Sequence, residues 1–269
     1  MEIWVLGTLE VSHQGRAIDV RGPLPRRLLA LLALTPGREV SADRLVDGLW
    51  GHEPPPGAAA TLQSHVARLR RDLGVPDVVR TGRRGYVLDV LPGDIDSVVL
   101  EQDVTRGSTA LLEGRLDEAS AILEDALLRW RGRPYAEFSG CEPLEVESER
   151  LAALRLDAIE QRISADLGRP GVTPPVAELE ALVRWHPMRE SYWALLMCAQ
   201  YRSGRQADAL ASTSARGGRW LTSSASIPAL SCKSWSGWCS RRTRRWTCRA
   251  SRRSSPWGRP PVRTLSPWH

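Results

Sequence analysis

The sequence has no run of about 18 apolar residues, so no segment is suited to cross a membrane as a helix. Its first residues, Met1-Glu2-Ile3-Trp4-Val5, lack the basic-then-apolar order of a signal peptide, and the chain is expected in the cytoplasm. The five cysteines, Cys141, Cys198, Cys232, Cys239 and Cys248, form no CxxC pair and no Cys/His cluster at zinc spacing. A disulfide framework and a structural metal are therefore not expected. Neither a G-x-x-x-x-G-K-[ST] phosphate loop nor H-E-x-x-H occurs. Glu145 and Glu147, a superficially paired set of carboxylates, lie two apart and diverge on a helix. Neither a catalytic constellation nor a cofactor site is expected.

What is present is an uneven distribution of charge. The 269 residues carry a net charge of +6, and residues 213–269 supply twelve basic groups and no acidic one. Without them the chain is net −6; residues 1–93 are net +2 and residues 94–212 net −8. A nucleic-acid partner must therefore be argued from local placement and not from the overall balance. Two ordinary domains, each with its own core, fit this length.

Residues 213–269 also hold six of the eleven tryptophans and three of the five cysteines, with neither helical nor strand periodicity. A basic nucleic-acid-binding tail is one reading, but such tails are poor in Trp and Cys. Reading GC-rich codons one nucleotide along turns Leu221–Trp246 into an acidic, helix-forming sequence with a Gly-Ile-Asp-Pro entry. The preferred reading is thus a frameshift near Ser212, leaving an aberrant, disordered tail and a truncated second domain.

In residues 1–93, Ile3, Val5, Leu9 and Val11 alternate as in strands, with a turn at Gln14-Gly15 and a short strand over Ala17–Val20. Pro23 suits the first position of a helix bearing Leu24, Leu28, Leu31, Leu32 and Leu34, ended by Pro36-Gly37. Ser41 is an N-cap for a second helix, Ala42–Trp50, whose buried side is Leu45, Leu49 and Trp50. The proline-rich stretch Gly51–Gly57 is a loop. In a third helix Leu62, Val66, Leu69 and Leu73 recur at i, i+4, i+7 and i+11, a stripe that must face the core. The opposite face carries Ser64, Arg68 and Arg71, flanked by Thr61, Gln63, His65 and Arg70. Hydroxyl, amide and guanidinium groups are those that bond base edges and phosphates. A strand over Asp77–Arg80, a turn over Thr81–Gly85 and a strand over Tyr86–Val90 would then carry Arg80, Arg83 and Arg84 to a minor groove or to phosphate. Taken singly, an arginine-bearing helix face is a solvated face, and Arg83-Arg84 is surface charge. The order of strands, three helices and a basic hairpin favours a winged helix-turn-helix.

Beyond Pro92-Gly93-Asp94 the apolar spacing is helical throughout: Leu111, Leu112, Ala119, Ile122, Leu123, Ala126, Leu127, then Leu151, Leu154, Ala158, Ile159, then Leu179, Leu182, Val183, then Tyr192, Leu195, Leu196, Ala199. Gly114-Arg115-Leu116-Asp117-Glu118-Ala119 is echoed by Gly204-Arg205-Gln206-Ala207-Asp208-Ala209. Glycine permits a tight helix–helix turn and alanine a close approach, in the manner of a tetratricopeptide-like array. Trp130, Trp185 and Trp193 are read as core. The expected fold is mainly α with small β: a winged helix-turn-helix over 1–93 and an all-α tetratricopeptide-like domain over 94–212.

The run Leu28–Leu34, then Val40–Leu45, Leu49-Trp50-Gly51, Ala60–Gly74 and Gly85-Tyr86, resembles the OmpR-type winged helix of the Streptomyces antibiotic regulatory protein family. Leu127–Phe138 and His186–Leu210 resemble that family's bacterial transcriptional activation domain. The resemblance implies that Ala58–Leu73 is a recognition helix, Val79–Val90 a wing, and Gly51–Gly57 a loop facing RNA polymerase. It also implies an activator of a biosynthetic gene cluster that binds double-stranded DNA at direct repeats near a promoter and recruits RNA polymerase. A homodimer is among its expected assemblies. Ala67 departs from related helices, which often carry a basic residue there. The competing reading is a helical protein-interaction scaffold with little specific DNA binding, which a salt-insensitive protein complex would favour.

Overall fold

The computed structural model describes residues 1–209 and Ser212; the frameshift expectation for residues 213–269 lies outside them. The chain begins with an antiparallel sheet of β1 (Glu2–Trp4), β2 (Glu10–His13) and β3 (Arg16–Ala17). Gln14 and Gly15, with φ of 53° and 74°, form the turn from β2 to β3, as a two-residue hairpin demands. The third strand stops at Ala17, short of the expected Val20.

Three helices follow: α1 (Pro23–Ala33), α2 (Ala42–Trp50) and α3 (Ala58–Leu73). Pro23 opens α1, where its missing N–H costs nothing. The Ser41 hydroxyl caps α2 by accepting from the Arg44 N–H at 3.3 Å. Leu62, Val66, Leu69 and Leu73 are all buried, as the stripe requires. Gly74 ends α3 in the left-handed region.

A second sheet has the order β4–β6–β5, from β4 (Glu39–Ser41), β5 (Val79–Thr81) and β6 (Gly85–Leu88). The reading of residues 77–90 as a simple hairpin missed β4, whose three residues are too few to show a period. It also placed the first strand early, because Pro76–Val78 is a 3-10 turn. Gly85 is obligatory: a Cβ there would sit 1.8 Å from the Val40 carbonyl oxygen. The close approach lets β6 pair with both neighbours, Val40 and Thr81 both standing opposite Tyr86.

The rest is helical: α4 (Asp96–Leu112), α5 (Leu116–Leu128), α6 (Glu142–Gly168), α7 (Val176–Trp185) and α8 (Glu190–Arg202). The sequence echo is a structural repeat. Gly114 and Gly204 have φ of 79° and 77°. The following N–H groups bond alike, Arg115 to the Ala110 carbonyl and Arg205 to the Gln200 carbonyl, each at 2.9 Å. Arg115 pairs with Glu118, and Arg205 with Asp208, one helical turn on. Trp193 is buried and Trp130 half-buried, but Trp185 is 79% exposed. It lies two residues beyond buried Val183, roughly 200° round the helix and so opposite the core stripe.

One apolar core runs from Ile3 to Ala158, across the sequence boundary at residues 93–94. A second, around Ile163, Leu179, Tyr192 and Leu196, holds the later helices. The crossing point is Asp96, at the start of α4 and only 6% exposed. Its carboxylate accepts the Val5 N–H at 2.8 Å and the Leu6 N–H at 3.1 Å. Arg131 stands 3.7 Å away. Burial pushes the Asp96 carboxyl up, against the pull of those bonds and that guanidinium. The Arg131 and Gly132 N–H groups bond back to the Leu6 carbonyl. Nearby, Arg26 of α1 binds both oxygens of Glu137 at 2.9 and 2.7 Å, and Glu137 also accepts the Leu9 N–H at 2.9 Å.

Asp96→Ala strands two buried N–H groups, at about 1–3 kcal/mol each. Urea unfolding of the whole chain should show a loss of about 2–6 kcal/mol, with less than about 1 kcal/mol contradicting the role given to Asp96.

Candidate nucleic-acid interface

Helix α3 packs its apolar stripe on α1 and α2, which fixes the face turned to solvent. That face carries Ala60, Ser64, Ala67, Arg68 and Arg71, with Gln63 on its flank, all exposed. Its hydroxyls are partly committed: Ser64 donates to the Ala60 carbonyl at 3.1 Å and Thr61 to the Gly57 carbonyl at 3.3 Å. Both therefore face outward chiefly as acceptors. The Arg68 guanidinium lies alongside Gly22, at the entry to α1, and neither Arg68 nor Arg71 has an acidic partner among the described residues. Arg21 is held near the same helix by its N–H, which donates to Asp72 at 3.0 Å.

Arg70 has a different position. Its Nε donates to the Val79 carbonyl at 2.7 Å and its Nη2 to Thr81 Oγ1 at 2.9 Å. It ties α3 to β5 and so sets the angle between helix and hairpin. The sequence period placed it on the flank but gave no sign of this partner, which lies nine residues on in a strand.

His65 sits against Trp50 of α2, the ring centroids 6.2 Å apart and tilted by 43°. Desolvation, and then the charge of Arg68, hold its imidazole below the ordinary value near 6.5. At neutral pH it is an uncharged donor and acceptor beside the arginines.

The hairpin is tighter than the expected Thr81–Gly85 turn, with only Gly82, Arg83 and Arg84 between β5 and β6. Glu39 of β4 accepts the Arg84 N–H at 2.6 Å, and the Arg84 carbonyl accepts the Ala42 N–H at 2.9 Å. The tip is thereby anchored at its backbone while the Arg83 and Arg84 side chains stay exposed. Arg80 is exposed but paired with Asp89 at 2.9 Å. A pair this open to solvent is weak, so it can exchange Asp89 for another anion. Helix α3, the hairpin and the exposed loop Gly51–Gly57 form three adjacent elements of the winged fold. Among the described residues no group of three His, Cys, Asp or Glu is placed to hold a metal, and no helix is long and apolar enough to cross a membrane.

Comparison with known proteins agrees with this geometry. Residues 22–88 match the family model described as "Transcriptional regulatory protein, C terminal", and residues 95–214 the bacterial transcriptional activator domain. The chain is 38% identical over 223 residues to regulatory protein DnrI of Streptomyces peucetius, covering 78% of this chain and 81% of DnrI. It is 36% identical over 221 residues to transcriptional regulator RedD of Streptomyces coelicolor, covering 79% of this chain and 62% of RedD. Against regulatory protein AfsR of the same organism identity is 37% over 208 residues, covering 77% of this chain but 21% of AfsR. A solved structure of Mycobacterium tuberculosis EmbR in complex with a low-affinity phosphopeptide superposes with a TM-score of 0.80 at 29% identity, over 90% of this chain and 65% of that one. DnrI and AfsR are regulatory proteins, and RedD and EmbR transcriptional regulators. With an OmpR-like winged helix followed by an activator domain, and a relative matched over four-fifths of its length, the chain belongs to the Streptomyces antibiotic regulatory protein family of transcriptional regulators.

Proposed function

We propose that this chain activates transcription of a biosynthetic gene cluster by reading promoter DNA with α3. The observation that carries this reading is the outward face of α3, where exposed Arg68 and Arg71 have no acidic partner, beside a hairpin tip bearing Arg83 and Arg84. Within residues 1–93, which are net +2, two such arginines on one helix face suit an external anion. Residues 1–93 supply the DNA-reading part and residues 94–212 the helical activation part. The helix lies in the major groove, with Thr61, Gln63, Ser64, His65, Arg68 and Arg71 toward bases and phosphates. Arg80, Arg83 and Arg84 grip the adjacent backbone, and Arg70 holds the two elements at the right angle.

Double-stranded DNA with direct repeats near a promoter is the proposed target, occupied by two copies of the chain. RNA polymerase is the proposed partner, met by the loop Gly51–Gly57, whose His52 and Glu53 side chains are exposed next to α3. Because the core is shared across residue 93, a contact made by the helical part bears directly on the placement of α3.

Binding and titration should respond as follows. Arg68→Ala should lower affinity for a duplex selected from a random pool by about tenfold, while Arg83→Ala should reduce the slope of log affinity against log salt by about one; unchanged affinity in Arg68→Ala would remove the base-reading role of α3. In proton NMR the His65 ring should titrate below about 6.5, and Arg68→Ala should move the midpoint up by relieving the charge repulsion. A midpoint unmoved by that substitution would place Arg68 away from His65.

A further inference from the structure

In helix-turn-helix proteins the N-terminal residues of the recognition helix are the ones that reach base edges. In α3 that end is Ala58-Ala59-Ala60-Thr61, and Gly57 precedes it with no capping side chain. The residues turned away from the buried stripe are, in order, Ala60, Ser64, Ala67, Arg68 and Arg71. Both arginines stand in the C-terminal half of the helix. Ahead of them the same face presents two methyl groups, Ala60 in the first turn and Ala67 just past the middle of the helix, with one hydroxyl between them. That hydroxyl has its proton committed to the Ala60 carbonyl at 3.1 Å.

Resting on the reading of α3 as the DNA-binding helix, we propose that Ala60 and Ala67 read thymine, their methyl groups packing on the C5-methyl groups of two thymines in the major groove. Alanine offers no hydrogen bond, so the thymine methyl is the one base-edge feature in that groove with which it gains by contact. The small side chains also let the helix backbone lie close to the base edges, which a longer residue at position 60, 64 or 67 would prevent. Seven residues at 1.5 Å each separate the two methyl groups by about 10 Å along the helix axis. At 3.4 Å per base step this places the two thymines about three base pairs apart. Exposed Gln63, on the flank, has the amide that pairs with adenine N6 and N7. The stretch from Ala60 to Ala67 is thus set for A·T pairs, and the arginines that follow it for guanine or phosphate.

The test uses the full chain and a duplex it enriches from a random pool, with each thymine of that site replaced singly by deoxyuridine. Deoxyuridine lacks only the C5-methyl group and keeps every hydrogen bond. The expected result is a drop of about three- to fourfold at two positions some three base pairs apart, the value of one buried methyl group. The sensitivity at one of them should disappear in Ala67→Ser, which keeps the helix but removes the methyl contact. If the site is bound and deoxyuridine is tolerated throughout, or if Ala67→Ser leaves every sensitivity in place, the thymine contacts are overturned while DNA reading by α3 stands. If no duplex is enriched, the DNA-reading role on which the proposal rests falls, and the proposal with it.

Discussion

The carboxylate of Asp96 joins what the sequence divides. It is buried at the first turn of α4, yet its partners are the N–H groups of Val5 and Leu6, at the far end of the winged part. A buried carboxylate is tolerable only when its lone pairs are filled, and here the N-terminal strand fills them. The parallel bridge between Ile3 and Ile95 and the bonds from residues 131–136 to the Val5, Leu6 and Gly7 carbonyls surround that placement. The core has therefore no gap at residue 93, and the winged part and the first helices form one packing unit.

That continuity matters for a regulator. A helix that reads DNA must be held at a fixed angle, because a base contact is lost with an error of about an ångström. Three devices hold α3: the apolar stripe on α1 and α2, Arg70 bonded to β5, and Gly85 bringing β6 against β4. Arg70 serves orientation, whereas Arg68 and Arg71 remain open to a ligand. The hairpin tip, anchored at its backbone, presents the exposed Arg83 and Arg84 side chains, which suits contacts to phosphate more than to bases.

Much of this was legible in the sequence because the relevant signals are local. Ser41 caps α2, Pro23 opens α1, and the Leu62–Leu73 stripe is buried, since capping and helical period act within a few residues. The Gly-Arg echo is a repeat because the same left-handed glycine and the same Arg–acid spacing close the same turn twice. The features not visible were those that depend on distant partners. Strand β4 exists only because β6 lies beside it, Arg70 bonds residues whose approach no period reveals, and Asp96 lies 90 and 91 residues from the N–H groups it satisfies. Trp185 was misplaced for another reason: aromatic type alone suggested a core role, while its angle on α7 points it to solvent.

The account stands on the outward face of α3 being the surface that meets DNA. The most direct measurement is photo-crosslinking from a reactive group installed at Gln63, whose side chain is already long and exposed beside that face, to a duplex enriched by the full chain. A crosslink to a base exposed in the major groove is predicted, with a matched probe at Glu124 on α5 giving none. A duplex bound with undiminished affinity and crosslinked from α5 but not from position 63 would contradict it.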